Sequence, residues 1–273
     1  MKKDYLPVAD EWFSASEEDL VADFWSQRWD SVEHIPEASL VAKREEYKVI
    51  APFLQQLTSG SKVLDGGCGL GEWTVFLGKS GFEPIGLDLS QSTIHRLRKL
   101  FPGQEFICGD IRKTSFQDDT FDAYLSWGTF EHFENGLGEC IKEAYRILKP
   151  GGMLFASVPY QNWRHILRDS RPLRQWDRPY SSHKDKTVPL RFYQWRLTIP
   201  EFEHELSMWG FRCLKIQSIG QLQGLSRALV CDLKIPPGSL RDRVAKRLLP
   251  RIIPARWIAH MILAVAQKTT RSH

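Results

Sequence analysis

The sequence has few cysteines, and they form no pattern. The five are scattered over 273 residues without a C-x-x-C pair or a His/Cys group at metal-ligand spacing: Cys68, Cys108, Cys140, Cys213 and Cys231. An odd number of dispersed cysteines favours a reducing compartment and argues against a disulfide framework. We therefore predict neither a disulfide-stabilised fold nor a metal centre.

Long apolar runs and a large charge excess are also missing. No apolar run reaches the roughly 20 residues that a membrane-spanning helix needs. The first 13 residues, MKKDYLPVADEWF, have two lysines but no apolar stretch typical of a signal peptide. The formal charge of +4 at pH 7 is far from a histone-like balance. These absences predict a soluble, cytoplasmic protein, and 42% hydrophobic residues suffice for a large core.

Short β-rich runs alternate with helical ones from about Lys62, after an N-terminal part with helical periodicity. This alternation predicts an α/β fold with a mostly parallel sheet covered on both faces. Two stretches without a core pattern of their own interrupt it. We therefore predict a single domain, 1–273, composed of a helical cap (1–60), a core (61–160), a lid insertion (161–198) and a C-terminal αβ part (199–273) with a basic amphipathic insertion (221–257).

Residues 62–77, KVLDGGCGLGEWTVFL, form an apolar run that ends in closely spaced glycines and continues with a helical pattern. Dinucleotide-binding folds use G-x-G-x-x-G at such a turn, with a pyrophosphate at the helix N-terminus. Here Asp65 stands just before the glycines, and a carboxylate does not stabilise a pyrophosphate. It does stabilise a ligand that carries an ammonium and a sulfonium, such as S-adenosylmethionine (SAM). The turn therefore disfavours a nicotinamide-dependent oxidoreductase.

Two further acids, Asp88 in IGLDLS and Asp110 in ICGDI, end the next two predicted strands. Because ligands of open parallel sheets bind at the carboxyl ends of strands, these acids and Asp65 should surround one nucleoside. We expect Asp88 to accept the ribose hydroxyls and Asp110 to lie at the adenine edge. Two alternatives stay open. Asp110 could only form a turn, and Asp88 could cap the next helix, although Ser90 fits that role better.

Asp65–Gly71 resembles motif I, D/E-x-G-x-G-x-G, of the class I, Rossmann-like SAM-dependent methyltransferases. The resemblance continues through GLDLS, GDI, FDAYLSWGTFEHF, CIKEAYRILKPGG and MLFASVPY, from about Lys62 to Tyr160. It is closest to the small-molecule branch that includes quinone and natural-product methyltransferases. It implies a seven-stranded sheet with helices on both faces and an antiparallel last strand, here IAHMILAVAQK.

The same resemblance implies which residues hold SAM. Gly67 and Gly69 would approach its methionyl part, and Ile111 would join Asp110 at the adenine. Arg44 is a candidate for the SAM carboxylate, although an exposed basic residue on a helix is the alternative. The full predicted cofactor set is Asp65, Gly66, Gly67, Gly69, Gly71, Asp88, Leu89, Asp110, Ile111, Ser126, Trp127 and Arg44.

The stretch SWGTFEHFENG, residues 126–136, is the predicted catalytic segment. Methyl transfer is an in-line displacement that chiefly needs alignment, plus a base when the nucleophile carries a proton. His132 is the predicted proton acceptor because the pKa of histidine lies near neutrality. Glu131, the second predicted catalytic residue, could instead brace the backbone or, as in some quinone O-methyltransferases, help to hold a divalent cation. Adjacent helical residues do not share a face, so we do not expect both to meet the substrate. The alternative for His132 is that it makes only a loop hydrogen bond.

Cations and aromatic rings alternate in residues 160–198, where the family forms a substrate lid, and this mixture suits an anionic or planar acceptor. RNA is the alternative, since bases stack on aromatic rings and arginines bind phosphates. The rest of the chain is not notably basic and carries no recognised RNA-binding module. The predicted substrate contacts are Tyr160, His165 and Tyr193. The basic residues are Arg164, His165, Arg168, Arg171, Arg174, Arg178, His183, Lys184, Lys186, Arg191 and Arg196.

Ser239–Trp257 has apolar residues at near-helical spacing, accompanied by arginines, with Asp242 as its only acid. Such a basic amphipathic segment can contact an anionic membrane surface weakly and reversibly. The alternative is that Leu248, Leu249, Ile252 and Ile253 pack on the sheet edge or on a partner chain.

The predicted function is SAM-dependent methyl transfer to an O or N atom of a small, anionic or lipid-linked metabolite. Three alternatives stay open: a non-catalytic SAM-binding sensor or partner subunit, an RNA methyltransferase, and the disfavoured oxidoreductase. The predicted location is the cytoplasm, with a peripheral contact at the inner membrane surface through residues 239–257. The oligomeric state is left open.

Overall fold

The computed structural model describes residues 1–7, 15–169 and 190–269. Its main sheet has seven strands in the order β4-β3-β2-β5-β6-β9-β8. Their bounds are β2 Lys62–Gly66, β3 Glu83–Asp88, β4 Glu105–Cys108, β5 Phe121–Trp127, β6 Leu148–Pro159, β8 Phe211–Ile219 and β9 Met261–Lys268. The pairs from β4 to β6 are parallel, and β9 runs antiparallel to both β6 and β8. The predicted α/β fold with an antiparallel last strand is confirmed.

Helices cover both faces of this sheet. The described ones are α1 Glu17–Asp30, α2 Glu45–Leu54, α3 Glu72–Lys79, α4 Gln91–Leu100, α5 Gly138–Ile147, α6 Trp163–Asp169, α7 Ile199–Met208, α8 Gln221–Cys231, α9 Leu240–Leu248 and α10 Ala255–Ile258. Side-chain caps start two of the helices near the site: Ser16 accepts a hydrogen bond from the amide of Asp19, and Ser90 accepts one from that of Thr93. None of the described helices is long and apolar enough to cross a membrane.

The core lies on both faces because successive side chains of a strand point to opposite sides. In β5, Tyr124 packs with α5 residues such as Ile141 and Ile147. Its neighbours Ala123 and Leu125 pack on the other face, with α2 and α3 residues such as Ile50 and Leu77. The central strands therefore bury apolar side chains on both faces, and Asp65, Asp88 and Ser126 lie toward their carboxyl ends.

A second, two-stranded sheet was not predicted. Strand β1, Lys2–Pro7, pairs antiparallel with β7, Leu190–Arg196. The side chain of Arg196 is buried and forms ion pairs with Asp4 at 2.9 Å and Asp169 at 3.2 Å. The ribbon therefore ties the N-terminal strand to the end of the predicted lid insertion. The lid residues Arg171, Arg174, Arg178, His183, Lys184 and Lys186 lie outside the described residues.

Candidate cofactor-binding and catalytic site

The glycine turn follows β2 and is fixed to the neighbouring strand. The amides of Gly67 and Cys68 both donate to the carbonyl of Leu87 in β3, at 2.8 and 2.9 Å. Gly67 and Gly69 have φ angles of +76° and +50°, a region that glycine adopts without the steric penalty of other residues. The other glycines of the motif serve internal packing, since a Cβ at Gly66 would collide with Tyr124 and one at Gly71 with Phe106.

A cavity of about 110 Å³ lies beside this turn, at the carboxyl ends of β2 to β5. It brings together part of the predicted set: Gly67, Asp88, Leu89, Ile111, Trp127 and His132. The remaining lining residues were not predicted from the sequence: Val21, Trp25, Trp29, Gly109, Gly128, Thr129 and Phe133.

Asp88 is the buried acid of this cavity. Its Oδ2 accepts the amide of Gly69 and its Oδ1 accepts that of Ser90, each at 2.9 Å. Burial raises the pKa of the carboxyl, and the backbone donors partly oppose that rise. A carboxylate oxygen can accept more than one hydrogen bond, so Asp88 can fix the glycine turn and still accept from a ligand hydroxyl.

The structure does not bring the other predicted polar residues into the cavity. Asp65 is buried and accepts a hydrogen bond from Thr74 Oγ1 at 2.8 Å, and burial raises the pKa of its carboxyl to about 7. Asp110 forms an ion pair with Arg112 at 2.7 Å and accepts its amide, which is the turn geometry left open above.

Arg44 lies at a break in the N-terminal helical region. The predicted continuous helix is a 3₁₀ segment, Ala38–Lys43, followed by α2, and Arg44 between them has extended backbone. Its guanidinium pairs with Glu72, the first residue of α3. That contact links the N-terminal region to the helix after the glycine turn, outside the cavity lining.

Helix α1 covers the cavity. The rings of Trp25 and Trp29 stack with centroids 5.1 Å apart, and a Cβ at Gly69 would lie 3.0 Å from Trp29. The hydroxyl of Ser26 lies 2.7 Å from that of Ser90, which joins α1 to α4. Val21, Trp25 and Trp29 recur every fourth residue, so their spacing on one helix face is a signal that the sequence analysis could have used.

Glu131 and His132 lie on a 3₁₀ turn, Phe130–His132, that follows β5. Both side chains are buried, and His132 lines the cavity whereas Glu131 does not. The Nδ1 of His132 is 2.8 Å from the carbonyl oxygen of Tyr193. Its Nε2 is 3.9 Å from Glu131 Oε1, too far for a hydrogen bond. Burial lowers the pKa of His132 to about 4 and raises that of Glu131 to about 8.

The three predicted substrate residues are in different environments. Tyr193 of β7 lies against His132, with ring centroids 5.2 Å apart, and against Phe24 of α1 at 5.5 Å. Tyr160 and His165 lie outside the cavity lining, where His165 Nδ1 is 3.1 Å from the Tyr160 carbonyl oxygen. Burial, followed by the positive charge of Arg196, lowers the pKa of His165 to about 3.

The polar atoms at the end of β5 test whether the site fits a nucleoside cofactor. Trp127 Nε1 is buried without a hydrogen-bond partner among the described residues and belongs to a residue that lines the cavity, whereas Ser126 and Glu131, whose side chains also carry an unpaired buried atom, do not line it. Buried polar groups are normally paired, so Trp127 and Asp88 are suited to a polar ligand beside the glycine turn. The residues present therefore fit SAM. No group of three or more His, Cys, Asp or Glu side chains among the described residues could hold a metal ion.

Comparison with known proteins identifies a methyltransferase domain in this part of the chain. Residues 63–152 match the family described as "Methyltransferase domain". The chain is 34% identical over 131 residues, 46% of its length, to a tRNA (carboxymethyluridine(34)-5-O)-methyltransferase of Arabidopsis thaliana, covering 30% of that protein. It is 33% identical over 132 residues, also 46% of its length, to a 2-methyl-6-phytyl-1,4-hydroquinone methyltransferase of Synechocystis, covering 39%. The chain thus spans less than half the length of these two relatives.

A solved structure is similar over nearly the whole chain. It is a 1,6-didemethyltoxoflavin-N1-methyltransferase of Burkholderia thailandensis with bound S-adenosylhomocysteine (SAH), at a TM-score of 0.55 and 17% identity, covering 98% of this chain and 96% of that one. At this identity the match concerns the fold. The domain match and the sheet order show that residues 63–152 form a methyltransferase domain within a Rossmann-like methyltransferase fold.

Proposed function

We propose that the protein transfers a methyl group from SAM to an O or N atom of a small, anionic or lipid-linked acceptor. One observation carries the proposal: His132, a buried neutral histidine, lines the same cavity as Gly67 and Asp88. A proton acceptor and the expected cofactor contacts therefore share one enclosed space at the carboxyl ends of the strands, where ligands of such sheets bind.

His132 would accept the proton of the acceptor. Because Nδ1 faces the carbonyl of Tyr193, the neutral ring donates there and carries its lone pair on Nε2. SAM held beside Gly67 and Asp88 would supply a methyl group on a positively charged sulfur. The acceptor oxygen or nitrogen would bond to the methyl carbon, and the electron pair of the broken carbon–sulfur bond would remain on sulfur, in SAH. The acceptor proton moves to Nε2.

The proposed cofactor contacts are those that line the cavity: Gly67, Asp88, Leu89, Ile111 and Trp127. Asp88 would accept the ribose hydroxyls, and Leu89 and Ile111 would lie beside the adenine. Three predicted cofactor residues would act indirectly, because each holds a neighbouring element. Asp65 holds α3 through Thr74, and Arg44 holds the start of α3 through Glu72. Asp110 holds α1 through Arg112.

The charges near Tyr193 have both signs. Burial and the negative charges of Glu131 and Asp4 raise the pKa of its phenol, whereas Arg28 and Arg227 lower it. The proposal of an anionic acceptor therefore rests on the cation-rich sequence of residues 160–198. The hydroquinone methyltransferase relative from Synechocystis supports a ring-containing acceptor. A lipid-linked acceptor would also require contact with a membrane, for which we propose residues 239–257 at the inner surface of a cytoplasmic membrane.

RNA is the second candidate acceptor. The Arabidopsis relative is a tRNA methyltransferase, and residues 160–198 mix cations with aromatic rings, as RNA-binding surfaces do. The small-molecule proposal is preferred because the cavity lining is largely apolar and aromatic and lies below α1, whereas a nucleotide within an RNA strand needs an open path.

Formation of SAH tests the proposal directly. The purified protein is incubated with methyl-labelled SAM and, separately, with soluble phenolic carboxylates, with isoprenoid-linked hydroquinones in detergent, and with total tRNA. We expect label in one of the first two classes, and a fall of about 100-fold or more in turnover for His132→Ala with SAH affinity unchanged. His204→Ala, an exposed histidine on α7, is the control and should keep full activity. Label in tRNA alone would replace the acceptor class, and SAH binding without any transfer would favour a sensor.

A further inference from the structure

Helix α9 is already packed on one side. Leu249, just after the helix, and Ala245 contact the cluster formed by α8 residues such as Leu225 and Leu229. Asp242 is buried on the same side, where it accepts the amide of Gly238 and the ammonium of Lys246, each at 2.9 Å. This side of α9 therefore needs no further partner.

The opposite side exposes a row of large apolar residues. The exposed fractions are 69% for Leu240, 47% for Val244, 47% for Leu248 and 74% for Ile252. The alternative that the apolar residues of this segment pack inward is thus only half correct, since Leu249 and Ile253 pack inward whereas Leu248 and Ile252 do not. Contiguous exposed apolar residues are rare on monomeric proteins and mark interaction sites.

Two neighbouring tryptophans are exposed as well. Trp257 of α10 and Trp163 of α6 are 42% and 47% exposed, and their ring centroids are 6.2 Å apart. Tryptophan is enriched where a protein meets the boundary between lipid and water, because the ring is apolar and its N–H is polar.

Arginines flank the row. At 3.6 residues per turn, Arg243 and Arg247 lie to one side of the line through Leu240 and Val244, and Arg241 lies to the other. Together with Arg251 and Arg256 they are exposed, and no salt bridge between described residues includes any of the five. The only acid of Ser239–Trp257 is Asp242, which is buried and paired with Lys246.

We propose that the exposed apolar residues and the arginines beside them form one apolar–basic face that lies on an anionic lipid bilayer. This face consists of residues 240, 241, 243, 244, 247, 248, 251, 252, 256, 257 and 163. The apolar row enters the headgroup boundary while the arginines remain beside the lipid phosphates, which is how interfacial amphipathic helices bind. An RNA or an acidic protein would match the arginines but would leave the apolar row in water. Membrane binding is independent of catalysis. Delivery of a lipid-linked acceptor to His132 rests on the proposed function.

The test is flotation of the full chain with vesicles of phosphatidylcholine alone or mixed with phosphatidylglycerol, without SAM or acceptor. We expect binding only to the anionic vesicles, and release at high salt because screening weakens the arginine contacts. Arg243→Glu/Arg247→Glu/Arg251→Glu should lower the apparent affinity by about ten-fold or more. The lysine control replaces three exposed lysines elsewhere on the chain, Lys43→Glu/Lys79→Glu/Lys99→Glu. It makes the same change in net charge and should retain most of the binding.

A second variant tests insertion of the apolar row. Leu240→Ser/Leu248→Ser/Ile252→Ser should also lose vesicle binding by about ten-fold or more, whereas Leu100→Ser, an exposed leucine on α4, should not. Hydrogen exchange in residues 240–258 should slow on anionic vesicles. The proposal would be overturned by an absence of flotation at low salt, by an equal loss of binding in the lysine control, or by full binding of the serine variant. A dimer that only the serine variant disrupts would also overturn it, because the apolar row would then be an interface between copies of the chain. SAH binding by both variants separates failure of this proposal from failure of the enzyme assignment.

Discussion

The Nδ1 atom of His132 lies 2.8 Å from the backbone carbonyl oxygen of Tyr193. His132 follows β5 of the core, whereas Tyr193 belongs to β7 of the two-stranded ribbon. A carbonyl oxygen only accepts hydrogen bonds, so this contact selects the neutral tautomer that is protonated at Nδ1. The strand at the end of the predicted lid insertion thereby sets the chemical state of the proposed base.

The tautomer and the pKa of His132 can be measured without an acceptor. With its pKa lowered to about 4 by burial, the ring should show the shifts of a neutral, Nδ1-protonated imidazole in nitrogen NMR from pH 5.5 to 8. The unfolded chain has the ordinary histidine pKa of 6.5, so it binds the proton first on acidification. The contribution of His132 to stability is therefore present above pH 6.5 and is lost as the pH falls toward 4. A titration midpoint near 6.5 in the folded protein would contradict the assigned environment.

Asp88→Asn should weaken SAH binding by about ten-fold or more, because an amide cannot accept two ligand hydroxyls while it also serves the amides of Gly69 and Ser90. Asp118→Asn is the matched control. Since Asp118 is exposed and paired with Arg146 outside the cavity, its replacement should leave the calorimetric affinity for SAH within about two-fold. Equal losses in the two variants would indicate an indirect effect on the loops.

Glu131→Gln should change how stability depends on pH. Burial raises the pKa of Glu131 to about 8 from its ordinary 4.5, so between these pH values the folded state binds more protons than the unfolded one. The free energy of unfolding of the native protein therefore falls as the pH rises through this range. The glutamine cannot ionise. The melting temperature of the variant minus that of the native protein should thus increase from pH 5 to pH 8 and level off above.

The control for that experiment is Glu139→Gln, which removes an exposed carboxyl on α5. Its difference in melting temperature should stay flat over the same range. A flat profile for Glu131→Gln as well would mean that Glu131 is ionised throughout and that its environment is more polar than the structure indicates.

Helix α1 should open to admit the cofactor. The cavity volume of about 110 Å³ is below the roughly 300–1,000 Å³ of ligand pockets, because Trp25 and Trp29 lie across it. None of the α1 residues is buried, so its amides should exchange quickly in the free protein and slowly with SAH bound. Trp29→Ala should speed SAH association in stopped-flow measurements, whereas Trp209→Ala, at the end of α7, should not. Exchange in α1 that ignores SAH would contradict this opening.

The core of the fold could be predicted because its signals are local. Asp65, Asp88 and Asp110 each follow a short apolar run, and parallel strands place such ends on one edge. The same signals could not tell which acid faces the cavity. Asp88 does, whereas Asp65 turns to Thr74 of α3. Whether an acid faces the cavity depends on the direction of its side chain at the end of the strand, and the apolar periodicity of the sequence does not specify that direction.

The elements that cover the site, the paired strands β1 and β7 and helix α1, could not be predicted in the same way. The stretch KKDYLP has neither alternation nor turn residues that would indicate a strand, and its partner lies far along the chain. The role of His132 as a cavity residue was predicted from its residue type, but its contact with Tyr193 depends on that long-range pairing. For α1 the helix itself was predicted, and only the tertiary position of Trp25 and Trp29 was missed.

The pairing of Lys2 with Arg196 sets an order of events during synthesis. Strands β2 to β6 leave the ribosome well before β7, so the cofactor turn and Asp88 can assemble while β1 still lacks its partner. Contacts between residues this far apart also close slowly, because a long loop must be ordered first. The proposed base consequently acquires its hydrogen-bond acceptor only after β2 to β6 have been synthesised, so the nascent protein can form its nucleoside-binding turn before it can position a proton acceptor.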